Sequence, residues 1–268
     1  MTEWAVVTGG SSGIGYAYAQ QIAKKGYNIL LVSNQEEACQ TCAKQLQDDY
    51  SVDTKILVLD LAREHAAQQV FDFCRQENLV VEVLINNAGM FFWDNLTHVD
   101  PQKVLAITQL HITTPTMLCR LFAQDMQERH KGYILNATSI CAWMPFPTLA
   151  NYTSTKSYLR KFSLSLHYEM KDVGVHVTHV APGAVDTGLY GLKDSARKKL
   201  LRWHIMTTPE QVAKRGVSGL LKGRRCVIPG AINLVFIGLV KIVPLGFVNL
   251  LKKIFLTNNR KRNSCIKM

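Results

Sequence analysis

Long apolar runs are missing from this chain of 268 residues. A helix that crosses a bilayer needs about 20 consecutive apolar residues. The most apolar candidate, AINLVFIGLV at Ala231–Val240, offers ten, and Lys241, Pro244 and Gly246 interrupt the residues after it. An ordinary spanning helix is therefore not expected. Acidic residues are scarce towards the C-terminus: from residue 193 onwards only Asp194 and Glu210 stand against 17 Lys or Arg, whereas the first 192 residues carry 18 acidic and 14 basic side chains. The basic excess thus belongs to one segment and implies an anionic neighbour there. No aromatic or RNA-binding motif is interleaved with it, so a membrane surface is favoured as that neighbour and nucleic acid is not expected. The seven cysteines, Cys39 to Cys265, are odd in number and scattered, which argues against a disulfide framework and for a reducing, cytoplasmic setting. Cys39 and Cys42 form a Cys-x-x-Cys pair with no second pair to complete a metal set. They read as ordinary helix residues, and no metal site is expected. The opening MTEWAVVTGG has neither the basic stretch nor the cleavage pattern of a secretory signal.

What is present is alternation. AVVTG, NILLVS, KILVLDL, VEVLIN, YILNATS and HVTHVAPG are short apolar runs, and each of the first five precedes ten or more residues with helical spacing. Strands apolar on both faces, joined by helical crossovers, make a parallel sheet covered on each side. The expected fold is α/β: a Rossmann-like, doubly wound sheet of about seven strands with helices on both faces. Thr208 and Pro209 are placed to cap and begin a late helix, and a short seventh strand is expected at Cys226 to Ile228. No linker divides the chain before residue 229. Residues 1–228 read as one catalytic domain and 229–268 as an apolar, then basic, extension.

Ligands of such sheets gather at the carboxyl ends of the strands. The first strand runs into TGGSSGIG, Thr8 to Gly15, and then into a helix. The G-x-G-x-x-G spacing fails because Tyr18 occupies its third glycine position, but T-G-x-x-x-G-x-G is satisfied by Gly9, Gly13 and Gly15. Glycines let a pyrophosphate approach the backbone, and the amides of a helix N-terminus attract its charge, so Ser11, Ser12 and Ile14 join these glycines as candidate cofactor contacts. The second strand ends at Ser33 and Asn34, where an adenosine ribose is expected. Both are neutral hydrogen-bonding residues that admit a 2′-phosphate, though no Arg or Lys is at hand to attract it; NADP is favoured and NAD stays admissible. Asp60, with Leu61 behind it, either accepts from an adenine amino group or caps the following helix.

Four separated motifs now stand in order: TGGSSGIG, then NNAG at Asn86 to Gly89, then Ser139 thirteen residues before Tyr152-x-x-x-Lys156, then Pro182-Gly183 followed by Thr187. In this the sequence resembles the short-chain dehydrogenases/reductases across roughly residues 3–228. The resemblance implies hydride exchange between a bound nicotinamide and a ketone or secondary alcohol. Tyr152 would be the general acid or base, Ser139 would hold the carbonyl, and Lys156 would support both the phenol and the nicotinamide ribose. It also places Asn87, Ala88 and Gly89, Pro182, Gly183 and Thr187 beside the cofactor. Residue physics agrees: side chains four apart on a helix share a face, and an ammonium there favours phenolate over a phenol of ordinary pKa near 10.

One departure concerns the proton relay. The family usually has an asparagine in the long helix after the fourth strand, where this sequence has His111. Either the imidazole serves the same water and brings a group titrating near pH 6.5, or His111 is a satisfied core residue.

Substrate signals are apolar. MFFW at Met90 to Trp93, ICAWMPFP at Ile140 to Pro147, and GLYGL with LLRWHIM beyond Thr187 put Phe91, Phe92, Trp93, Trp143, Phe146, Tyr190 and Trp203 around the expected reacting carbonyl. A steroid, long-chain 3-oxoacyl or sphingoid ketone suits such a cleft. The rival substrates are small carbonyls or 3-oxoacyl groups on a carrier; the rival class is a non-catalytic, cofactor-binding scaffold at a membrane. A homo-oligomer is expected. The extension, flanked by Lys252, Lys253 and Arg260 to Arg262, reads as a membrane-surface element, a lid over the cleft or a dimer contact.

Overall fold

The computed structural model describes residues 3–187, 194–203 and 205–240. Tyr190 and the basic flank from Lys252 to Arg262 lie outside the described residues. Six strands appear in turn: β1 (Trp4–Thr8), β2 (Asn28–Ser33), β3 (Thr54–Val58), β4 (Val81–Asn86), β5 (Gly132–Ala137) and β6 (Val175–Val180). Two further pieces, β7 (Ala184–Val185) and β8 (Met206–Thr207), pair as a small separate ribbon that the sequence did not announce. The short β9 (Cys226–Val227) completes a seven-stranded parallel sheet in the order β3-β2-β1-β4-β5-β6-β9. The expected doubly wound fold is therefore present.

Both faces of the sheet are covered, which is why its strands read as continuous apolar runs instead of alternating ones. Ala5 and Val7 of β1 face Tyr18 and Ile22 of α1 (Gly13–Ala23), together with Leu46 of α2 (Glu36–Tyr50). Val6, between them, points to the opposite core. There it joins Val70 of α3 (Ala66–Gln76). The Cys39–Cys42 pair lies on the inner side of α2, where burial raises both thiols, Cys42 to about 11. Thiols of that kind are poor nucleophiles.

The helix expected after β4 is interrupted. It comprises α4 (Pro101–Thr108), a π-helical turn at Gln109–Thr113 and α5 (Thr114–Glu128). Thr114 N–H donates to the carbonyl of Gln109, five residues back. Pro115 has no N–H to give the carbonyl of His111, so the regular ladder cannot continue there and the turn widens. Next comes α6 (Ala150–Met170), followed by α7 (Asp194–Arg202) and α8 (Pro209–Leu221). α8 starts as its sequence implies: Thr208 Oγ1 accepts from Gln211 N–H at 3.3 Å, and the Gln211 side chain accepts from Thr208 N–H at 3.4 Å. The last described helix is α9 (Ala231–Val240).

One carboxylate is buried within the sheet. Glu82 of β4 is 2% exposed; it accepts from Tyr27 Oη at 2.6 Å and from Lys131 Nζ at 2.8 Å. This joins the chain after α1 to the starts of β4 and β5. Lys131 is more than half exposed and regains water if Glu82 is removed. The half-buried Tyr27 hydroxyl is the group that loses its acceptor. Glu82→Ala is expected to lower stability to urea by about 1–3 kcal/mol, and Tyr27→Phe should then cost less in that background than in wild type. Equal costs in the two backgrounds would show that the two side chains are not coupled.

Candidate active site

The strand order reverses between β1 and β4, so the chain leaves these neighbours towards opposite faces and a cleft opens at their carboxyl ends. One hydroxyl holds that point together. Thr8 Oγ1 donates to Ile85 O at 3.2 Å and accepts from the backbone N–H groups of Asn87 at 2.9 Å and Ala88 at 3.0 Å. Asn87 Nδ2 returns a bond to Thr8 O at 3.3 Å, which gives this asparagine a structural part in the loop.

The cleft has a volume of about 1160 Å³, and the residues assigned above to cofactor and chemistry all line it. Gly9, Ser11, Ser12, Gly13, Ile14 and Gly15 form one end; Ser33, Asn34, Asp60 and Leu61 a second; Asn87 to Gly89, Pro182, Gly183 and Thr187 the middle. Glycine is required at two places. Gly9 has φ +62°, and a Cβ there would come within 2.9 Å of Ala88 Cα; at Gly15 a Cβ would lie 1.9 Å from the carbonyl oxygen of Gly9. The N-cap of α1, Ser12, makes no side-chain cap bond, which leaves first-turn amides available to an anion. A cradle with this close backbone and these amides fits a dinucleotide pyrophosphate.

At the ribose end, Ser33 Oγ lies 3.0 Å from Ser11 Oγ, and Ser11 Oγ donates to Gln35 Oε1 at 3.3 Å. Gln35 was missed in the sequence because it lies one residue beyond the strand-end pair. Asp60 Oδ1 accepts from Ala62 N–H at 3.0 Å, so it caps the turn after β3; α3 itself begins only at Ala66.

α6 carries Tyr152 and Lys156 one turn apart, and both line the cleft. Lys156 is 6% exposed, and its Nζ donates to Ala137 O at the end of β5 at 2.9 Å. The same Nζ stands 5.8 Å from the centre of the Tyr152 ring. Burial lowers the Lys156 pKa to about 8, so at neutral pH the group is chiefly an ammonium. Ser139, just past β5, is buried; its Oγ accepts from Cys141 N–H at 3.2 Å, which orients the hydroxyl at the cleft wall.

His111 also reaches the cleft, from the π-helical turn, with its ring centre 5.8 Å from that of Tyr152. It is 1% exposed. Met90 N–H donates to Nε2 at 3.0 Å, so Nε2 is the unprotonated nitrogen of a neutral ring. Nδ1 then carries the hydrogen and donates to Thr155 Oγ1 at 3.1 Å, while Thr155 Oγ1 donates to Tyr152 O at 2.8 Å. Burial first, and the nearby Lys156 second, hold the imidazole well below its ordinary range. Of the two readings of His111, the hydrogen bonds at both ring nitrogens together with this burial favour the satisfied core residue over a group titrating near pH 6.5. His111 ties the loop after β4 to α6.

The substrate side is apolar and aromatic. Phe91 meets Tyr152 edge-on at 5.0 Å, and Trp93 meets Phe91 likewise at 5.1 Å. Phe146 and Leu149 close the far wall, and Asp94 N–H donates to Thr148 O at 3.1 Å, joining the two loops. Two of the expected aromatics lie elsewhere. Trp143 sits beneath the Arg160 guanidinium at 4.2 Å and beside His179 at 6.0 Å, and Trp203 is largely exposed after α7. Phe92 does not line the cleft either. Among the described residues no group of three or more His, Cys, Asp or Glu gathers to hold a metal ion.

The profile of the short chain dehydrogenase family matches residues 3–198, and the chain belongs to that family. It is 30% identical over 224 residues to hydroxysteroid dehydrogenase-like protein 1 of Gallus gallus, covering 83% of this chain and 66% of the relative. It is 31% identical over 272 residues to very-long-chain 3-oxoacyl-CoA reductase of Anas platyrhynchos, covering 98% and 82%. A Homo sapiens relative, 34% identical over 190 residues and matched over 57% of its length, is named inactive hydroxysteroid dehydrogenase-like protein 1. The chain thus spans less than two thirds of the Gallus gallus and Homo sapiens relatives. A solved 7beta-hydroxysteroid dehydrogenase shares the fold with a TM-score of 0.86 at 21% identity, over 93% of this chain and 96% of that one. A short-chain dehydrogenase from Sphingobium yanoikuyae in complex with NADPH aligns with a TM-score of 0.76 at 25% identity, over 90% and 96%.

The two buried histidines near the cleft set an acid limit on the fold. Burial, then Arg160, lowers His179 to about 4. An unfolded imidazole takes up its proton near 6.5, so between about pH 6.5 and 4 the unfolded chain holds more protons and stability falls as pH is lowered. His111→Asn is expected to make that fall in the thermal midpoint shallower and to leave the acid limb of turnover where it was. Movement of that limb towards lower pH in the variant would restore a titrating role for His111.

Proposed function

We propose that the protein is a nicotinamide-dependent oxidoreductase that interconverts a ketone and a secondary alcohol on an apolar, lipid-like substrate. The observation that carries this reading is the convergence of Ser139, Tyr152 and Lys156 on one cleft that Phe91, Trp93 and Phe146 also line, with Phe91 edge-on to Tyr152. When bound, the nicotinamide supplies or removes hydride at the substrate carbon. The glycine loop and α1 would hold its pyrophosphate, and Lys156 its ribose hydroxyls. The Lys156 charge lies close enough to Tyr152 to favour loss of the phenolic proton, and that proton passes to the carbonyl oxygen during reduction. Ser139 offers a hydroxyl positioned by Cys141 N–H to hold the same oxygen. Oxidation of the alcohol reverses each transfer.

NADP is the preferred cofactor in this reading because Ser33 and Asn34 put no carboxylate against a 2′-phosphate. The aromatic wall formed by Phe91, Trp93 and Phe146 supports a lipid substrate, as do the relatives named for very-long-chain 3-oxoacyl-CoA and hydroxysteroids. The six described cysteines are free, in keeping with a reducing cytoplasmic setting, and we infer a homo-oligomer there.

NADPH and NADH oxidation screened against steroid, long-chain 3-oxoacyl and sphingoid ketones tests the proposal. At least one lipid ketone is expected to turn over, with NADPH favoured. Tyr152→Phe should lower kcat by about 10²–10⁴ with cofactor affinity retained. Cofactor binding without turnover across the whole panel, or a Tyr152→Phe protein as active as wild type, would sink it.

A further inference from the structure

α9 is built inside out. Its one polar side chain, Asn233, is 5% exposed, whereas Ile232, Leu234, Val235 and Leu239 are between 44% and 60% exposed. A surface helix ordinarily turns its polar residues to water and its apolar stripe to the core. Here every side chain on the outer face is apolar, and the inward Asn233 donates to Pro229 O. The inner face rests on the cleft wall. A Cβ on Gly183 would come within 2.3 Å of Asn233 Oδ1, so the Asn233 side chain packs directly on the Gly183 backbone, and Phe236 stacks on Phe146 with ring centres 6.4 Å apart. Gly183 and Phe146 both line the cleft.

Charge decides what covers the outer face. Residues 241–268, which come directly after α9, carry seven Lys or Arg and no Asp or Glu. A second copy of this chain would bring two such cationic segments together, and like charges across an interface oppose association. An anionic bilayer meets both demands, with an apolar layer for the helix face and negative headgroups for the basic segment. No helix among the described residues is long and apolar enough to cross a membrane, and a ten-residue apolar helix suits a position in the surface.

We propose that α9 docks the protein on an anionic lipid surface and so places the cleft beside the bilayer. The link to a lipid ketone rests on the function proposed above; the docking itself does not.

The test is flotation of the full chain with vesicles of phosphatidylcholine, with and without about 30% phosphatidylserine, at low salt. Wild type is expected to bind the anionic vesicles about tenfold better than the neutral ones and to be released by salt. A triple Leu234→Glu, Val235→Glu, Leu239→Glu variant should lose about tenfold in binding, with an unchanged thermal midpoint and unchanged turnover of a short, water-soluble ketone. If the triple variant does not fold, Val235→Glu alone, at the most exposed position of the helix, carries the same expectation. Absence of wild-type binding, equal binding to neutral and anionic vesicles, or wild-type binding by a folded variant each overturns the proposal. So does a variant that turns a dimer into a monomer while wild type ignores vesicles, since the covering surface is then a second copy. Vesicle binding does not depend on Tyr152, so this proposal and the proposed reaction fail separately.

Discussion

The site depends on the switch point between β1 and β4, where neighbouring parallel strands send the chain to opposite faces of the sheet. Without that divergence there is no cleft at their carboxyl ends. Thr8 fixes it with a single side chain, because its hydroxyl satisfies two amides of the Asn87–Ala88 turn while donating to β4. The glycine loop can then pass within van der Waals contact of Ala88, which explains why Gly9 tolerates no side chain; Gly15 tolerates none because the loop folds back on the Gly9 carbonyl. The glycine cradle and the divergence of β1 and β4 are thus one piece of construction.

A second constraint is the placement of a buried cation. An ammonium out of water is costly unless it is bonded, and Lys156 has the carbonyl at the end of β5 to receive one hydrogen. Burial lowers its proton affinity to about 8 without discharging it at neutral pH. Its neighbour His111 answers the same pressure differently, by staying neutral with each ring nitrogen engaged. The widened turn at Pro115 brings that ring to the loop after β4. Two titratable groups within one site therefore hold different charge states under the same pressure, the scarcity of water around them.

Much of the fold was readable in advance, since continuous apolar strands and helical crossovers admit few arrangements. Thr208 and Pro209 marked a helix start from local chemistry alone, and the bonds of Thr208 and Gln211 are those that chemistry requires. The glycine loop, Ser33-Asn34 and the Tyr152–Lys156 pair could be placed at one cleft in advance because strand ends and helical spacing have a direct geometric consequence. Gln35 and Phe236 were not identifiable, because their importance comes from partners, Ser11 and Phe146, that lie 24 and 90 residues away in the chain. Trp143 was misplaced for the same reason: the sequence shows an aromatic residue in a substrate loop but not the Arg160 side chain that covers it.

By itself the sequence determined the strand and helix series, the family motifs, the candidate chemical groups and the separation of charge along the chain. Those are properties of short segments, governed by backbone preference, side-chain periodicity and composition. Tertiary structure alone decided which nitrogen of His111 accepts a hydrogen bond, how far Lys156 stands from water, which aromatics face the cleft, and that α9 turns its asparagine inwards and its apolar side chains out. Each of these depends on contacts between segments distant in sequence, and on the solvent that such contacts remove.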